Sequence, residues 1–168
     1  MTAPLGAHTQ AEPMKVTVIS DYVCPWCYIA SDRVKTFSAE FDVDVAWWPY
    51  ELHPETPVSG RHVDELIAPS ARAEASRSMI KELAAAADLP MQSNRWVANS
   101  RQALALAEFA RDNGQFDTVH NALFSAVFAE SKNIGDPGVL LEIAGGAGLD
   151  TAQWEAESAE YAALVERT

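Results

Sequence analysis

The stretch MKVTVISDYVCPWCYIA, residues 14–30, decides how this chain reads. Its first seven residues are short-run, β-branched and apolar on both faces, the pattern of a buried strand. A helix opens near Cys24, with Pro25 in the first turn, where a missing N–H costs nothing. Ala30, Val34, Phe37 and Phe41 then recur at helical spacing as one apolar stripe. Residues 43–50 alternate Val43, Val45 and Trp47 with Asp44 and Ala46, and Pro49 limits the run, so a second strand is predicted there. Strand, helix and strand in close succession predict a βαβ unit with parallel strands.

Working outward, residues 51–62 carry Pro54, Pro57 and Gly60 and read as a loop. From there the pattern is helical almost to the end. Residues 72–87 place Met79, Ile80 and Leu83 on one side. Residues 97–114 predict a strong helix with Ala103, Leu104 and Ala107 inward and Gly114 at its C-terminus. Residues 116–130 hold Phe116, Val119, Leu123 and Val127 in helical register. Asp136 followed by Pro137 is a cap and first position, and Asp150 or Thr151 caps a last helix whose Trp154, Ser158, Tyr161 and Val165 share a face. The expected organisation is a flexible lead over 1–13, a βαβ unit over 14–60, a helical insertion over 61–150 and a returning helix over 151–168. Met14 is an alternative start.

The 168 residues suit one domain, and about half are apolar, which is enough for a core. Twenty-four acidic residues against 12 basic give a formal charge of -12, which repels nucleic acid and anionic membranes. The first residues carry neither a basic segment nor an apolar run, and no stretch is long enough to cross a bilayer. A cytoplasmic protein is expected.

Both cysteines, Cys24 and Cys27, lie in the opening stretch. Two cysteines are too few for a secreted disulfide framework. Their spacing puts two sulfurs within disulfide reach across one helical turn, directly after a strand, which points to a redox pair. At the helix N-terminus Cys24 is expected to have the lower pKa and to react first; Cys27, one turn in and more buried, would resolve the mixed disulfide. Two alternatives stand beside this. Structural zinc needs four ligands, and His8, His53, His62 and His120 are not at ligand spacing, so no metal is expected. The pair could also be two inert core thiols. Trp26 is either an apolar contact for substrate or a residue folded back on the domain.

With these residues in view, the chain resembles the DsbA-like thioredoxin-fold oxidoreductases of the FrnE type. SDYVCPWCYIA, WWPYELHPETP, NSRQALALAEFA and LFSAVFAESKNIGDPGVLLEIAGGAGLD carry the resemblance, in the family's order, from Met14 to the end. It implies an α/β thioredoxin-like fold with an all-helical insertion, and thiol–disulfide exchange with Cys24 as nucleophile and Cys27 as resolver. It also implies that a cis-proline turn, a strand hairpin and a final helix should follow the insertion. That ββα half is missing from residues 1–168, which would leave a strand edge open to a partner chain or a second copy. In the related branch of 2-hydroxychromene-2-carboxylate isomerases and kappa-class glutathione transferases, an asparagine lies near the bound thiol. Asn99 is its counterpart here, or simply a helix cap. The resemblance thus implies no cofactor beyond the cysteine pair, with glutathione as the candidate small thiol. Substrates would be thiol- or disulfide-bearing proteins or small molecules contacting Pro25 and Trp26. A glutathione-dependent transferase or isomerase is the alternative activity, and a non-catalytic fragment completed by a partner is the third.

Overall fold

The computed structural model describes residues 12–168; the predicted flexible lead lies almost wholly outside them. Strand β1 (Met14–Ser20) runs parallel to β2 (Val43–Pro49), in register from Met14 opposite Val43 to Ser20 opposite Pro49. Helix α1 (Pro25–Glu40) connects them, so the βαβ unit is present as expected. Cys24 sits at the N-cap in extended conformation, and Pro25 is the first helical residue.

The strands are less covered than their apolar composition predicts. Ile19 is 64% exposed and Trp48 56% exposed, because among the described residues only one face of this two-stranded sheet has elements packed on it. The α1 stripe is likewise not the buried face. Phe37 and Phe41 are exposed and pack mainly on each other, ring centroids 4.7 Å apart, whereas Tyr28 and Ile29 are buried. Tyr28 stacks on Phe128 at 4.9 Å, and Ile29 meets Ile80 and Ala84. Aromatic stacking and a helix neighbour, neither of which periodicity reveals, turn α1 about its axis.

Beyond the loop come β3 (Arg61–His62), α2 (Val63–Leu66), α3 (Ala71–Ala86) and β4 (Trp96–Val97). Then follow α4 (Arg101–Asp112), α5 (Phe116–Phe128), α6 (Pro137–Gly146) and α7 (Thr151–Val165). The β3–β4 pair is antiparallel and only two residues long on each side, too short to show as alternation in the sequence. It takes Val97 out of the predicted helix, which begins at Arg101 instead. Gly114, at φ +69°, ends α4 in the left-handed conformation that glycine adopts without strain. Asp136 and Asp150 cap α6 and α7, their carboxylates accepting from Gly138 N at 2.7 Å and Ala152 N at 3.0 Å.

Helix α4 is the centre of the core. Ala103, Leu104, Ala105, Leu106, Ala107, Phe109 and Ala110 are all buried. Its alanines let α5, α6 and α7 approach closely, and Phe109 fills the gap between Trp154 and Tyr161, with ring centroids 5.6 and 5.5 Å away. The same core takes in Tyr22 and Tyr28, so the cysteine-bearing turn is packed directly on the helical part.

Helix α3 gives the sharpest test of this packing. Met79, predicted inward, is 54% exposed, while Ile80 is 8% exposed. Ile80→Ala should cost about 2–4 kcal/mol in denaturant unfolding. Met79→Ala should stay within about 0.5 kcal/mol of the parent. Equal effects would mean that α3 docks through the other face.

Candidate active site

The site begins with the turn between β1 and α1. Cys24 N donates to Asp21 O at 3.2 Å, and Cys24 O accepts from Cys27 N at 3.0 Å and Tyr28 N at 3.1 Å. This closes the first turn and brings the two sulfurs together. Both cysteines are free and half-buried, in the same exposure class, where Cys27 is expected to be the more buried of the two.

The two thiols titrate as a pair. Hydrogen bonding with the Cys24 thiol is the first cause that lowers Cys27, to about 6. Burial opposes the shift, and the Asp21 N–H and nearby Ser20 assist it. Cys24 is correspondingly raised, first by this hydrogen bond and then by burial, although the Cys27 and Trp26 N–H groups favour its thiolate. The expectation placed the low pKa on Cys24. The two cysteines share this titration, so the pair loses its first proton more easily than a lone thiol and its second with more difficulty.

Pro25 and Trp26 complete the turn. Trp26 is 43% exposed, so it is not folded into the core. Asn99 is held elsewhere: its Nδ2 donates to Thr56 O at 2.7 Å and its Oδ1 accepts from Arg101 N at 3.1 Å. Both ends of its side chain therefore serve the loop of residues 51–60 and the start of α4.

Three residues that the sequence reading passed over define the site's surroundings. Asp21 is buried. Its carboxylate accepts from Val23 N at 3.2 Å and Leu52 N at 2.7 Å, and it is hydrogen-bonded with Ser100. Burial raises its pKa against these hydrogen bonds, and Glu51 nearby adds to the rise. Glu51 in turn accepts from Arg101 Nε at 2.9 Å, and Arg101 also pairs with Glu166. Ser20 Oγ is buried beside Cys27, whose thiolate it favours. His120, on α5, bridges Tyr22 OH at Nδ1 and Ser31 Oγ at Nε2, each at 3.0 Å, so its neutral ring accepts at one nitrogen and donates at the other. Trp47, Phe116 and Phe124 surround it, and burial first, Arg111 second, lower its pKa to about 4. Only position in the sequence could have signalled Asp21, three residues before Cys24; nothing signals His120.

Two consequences can be measured. Asp21→Asn removes the charge that disfavours the Cys27 thiolate, so the thiolate absorbance should titrate at lower pH. The altered hydrogen bonding should also cost about 1–3 kcal/mol of stability. For His120 the folded pKa lies below the unfolded one, so the folded state binds fewer protons and loses stability as pH falls through about 6.5 towards 4. From about pH 7 to about pH 4.5 this group should remove about 2–3 kcal/mol. His120→Asn should be less stable at neutral pH but show a shallower acid slope in denaturant melts; an unchanged slope would show that His120 is not the group responsible.

Comparison with known proteins agrees with this geometry. A DSBA-like thioredoxin domain model matches residues 15–167. The Bacillus subtilis protein YwbO is 28% identical over 143 residues, covering 83% of this chain and 69% of that protein. The crystal structure of a probable DsbA oxidoreductase from Streptomyces coelicolor superposes with a TM-score of 0.78 at 28% identity, over 91% of this chain and 70% of that one. The cytosolic disulfide reductase DsbM of Pseudomonas aeruginosa, solved with GSH, shares the fold with a TM-score of 0.66 at 19% identity, over 90% and 75% of the two chains. A paired-cysteine turn between a parallel strand and a helix, packed on a helical core, is thus found within a match that spans nearly the whole chain: it belongs to the DSBA-like thioredoxin domain family.

Proposed function

We propose that the chain is a thiol–disulfide oxidoreductase that works through Cys24 and Cys27. The observation that carries the reading is the pair of free, half-buried cysteines across the first turn of α1, directly after β1. Ionisation at Cys24, with Cys27 protonated, gives a Cys24 thiolate favoured by the Trp26 and Cys27 N–H groups. This thiolate attacks one sulfur of a substrate disulfide; the other sulfur leaves as a thiolate and takes a proton from water. Cys27 then gives up its proton and attacks Cys24 of the mixed disulfide, releasing the second substrate thiol. The protein dithiol is oxidised by two electrons, and the substrate disulfide is reduced to two thiols. The reverse sequence oxidises a substrate.

Cys24 is the nucleophile in this scheme because its neighbour Trp26 is exposed and both Val23 and Pro25 border an open cleft. Pro25 and Trp26 are the contacts for substrate. Glutathione is the small thiol proposed to recycle the pair, in line with the GSH-bound reductase of the same fold. A reducing, cytoplasmic setting suits this direction; among the described residues no helix is long and apolar enough to cross a membrane. The full engagement of Asn99 with Thr56 and Arg101 does not favour the transferase or isomerase reading, in which that side chain would face a bound thiol.

Cys24→Ser should abolish reduction of a protein disulfide such as insulin, a loss of at least about a thousandfold when the nucleophile is removed. Cys27→Ser should instead accumulate a mixed disulfide visible by intact mass. Retained activity in Cys24→Ser, or a trapped adduct on Cys27 in the parent, would reverse the assigned roles.

A further inference from the structure

A cleft of about 490 Å³ opens beside the cysteine turn, between α3, residues 91–97 and the end of α5. Its volume is in the range of small-molecule sites and too small for a folded protein surface. Val23 and Pro25, the two chain neighbours of Cys24, form one end. Ile80, Met91, Val127 and Phe128 make the walls apolar. The shape is fixed by the fold: Gln92 N donates to Phe128 O at 2.7 Å, Tyr28 OH donates to Pro90 O at 3.1 Å, and Val63 N donates to Arg95 O at 2.7 Å.

The charges on this cleft run against those of the chain. Arg77, Lys81 and Arg95 border it with Glu74 as the sole acidic group, in a protein whose formal charge is -12. Arg95 is committed to Asp64 and His62. Arg77 and Lys81, one turn apart on α3, have no ion pair among the described residues. Two unpaired cations and an apolar wall, in a cleft that is also lined by both chain neighbours of Cys24, form a binding surface for an anion with an apolar body.

We infer that this cleft selects small disulfides that combine an apolar, ring-sized body with a carboxylate, placing the body on Ile80, Met91 and Phe128 and the carboxylate on Arg77 and Lys81. The inference rests on the redox reading of Cys24 and names its substrate class. The bond changes are those given above: the carboxylated disulfide is reduced to two thiols as Cys24 and Cys27 become a disulfide. A more polar disulfide such as glutathione disulfide leaves the apolar wall unused and is the poorer partner.

The test uses the reduced full chain and three probes: dithiobis(nitrobenzoate), the uncharged dithiodipyridine, and glutathione disulfide. Each rate is divided by that of the same probe with a free low-molecular-mass thiol, which removes intrinsic reactivity. The corrected rate of the carboxylated aromatic probe should exceed that of glutathione disulfide. Its ratio to the uncharged probe should fall about tenfold in Arg77→Gln/Lys81→Gln, as expected for two partly exposed charge contacts. Arg33→Gln/Lys35→Gln removes the same net charge from the exposed side of α1 and should leave the ratio unchanged. Equal responses of the two double variants, no response in either, or a corrected glutathione disulfide rate that matches the carboxylated probe would overturn the inference. Both replaced sites are on helix surfaces, and circular dichroism with a thermal midpoint checks that each variant folds. The redox reading has a separate readout: one dithiodipyridine should release two thiopyridones per chain. Release of one would sink that reading while leaving the charge ratio measurable; no reaction at all would sink both.

Discussion

Everything at the cysteine turn depends on one buried carboxylate. Asp21 gathers backbone N–H groups from its own turn and from the segment after β2, and reaches the start of α4 through Ser100. Three separate stretches of chain are thereby fixed around a single side chain that water hardly reaches. A buried carboxylate is costly unless such donors surround it, so the arrangement is cooperative: remove the donors and the charge cannot stay, remove the charge and the donors lose their acceptor. The Glu51–Arg101–Glu166 chain continues the same logic outward, placing a guanidinium between two carboxylates at the edge of the site.

The second constraint is aromatic. Tyr22 and Tyr28 flank the CPWC turn, and each is locked against α5, through His120 and Phe124 in one case and Phe128 in the other. The turn is therefore not a loop resting on a βαβ unit but part of the main core. This packing holds the cysteine-bearing turn in place while leaving Trp26 exposed. Helix α4 supports the arrangement from behind, with alanines where neighbours must come close and Phe109 where a gap must be filled.

The cleft adds a contrast in charge. The surface as a whole is acidic, yet the opening beside Cys24 is bordered by cations from α3 and β4's approach. A field of this kind directs anions to one place and away from the rest of the molecule.

Much of the architecture was legible in the residues themselves. The βαβ unit followed from β-branched runs on either side of a Pro-started helix, and the caps at Asp136 and Asp150 and the glycine at 114 followed from local chemistry. These features depend on interactions within a few residues, which a sequence displays directly. The failures share the opposite character. The inward side of α3 was misjudged at Met79, because Ile80 and Ala84 are chosen by Ile29, a residue some fifty positions away. The apolar stripe through Phe37 and Phe41 is exposed, because stacking of Tyr28 on Phe128 turns another face of α1 inward. Two cysteines sharing one turn at a helix start after a strand are visible in the residues alone. Which acid is buried behind them and which cations line the neighbouring cleft come from the folded arrangement, because burial and long-range pairing set those energies and neither has a local signature.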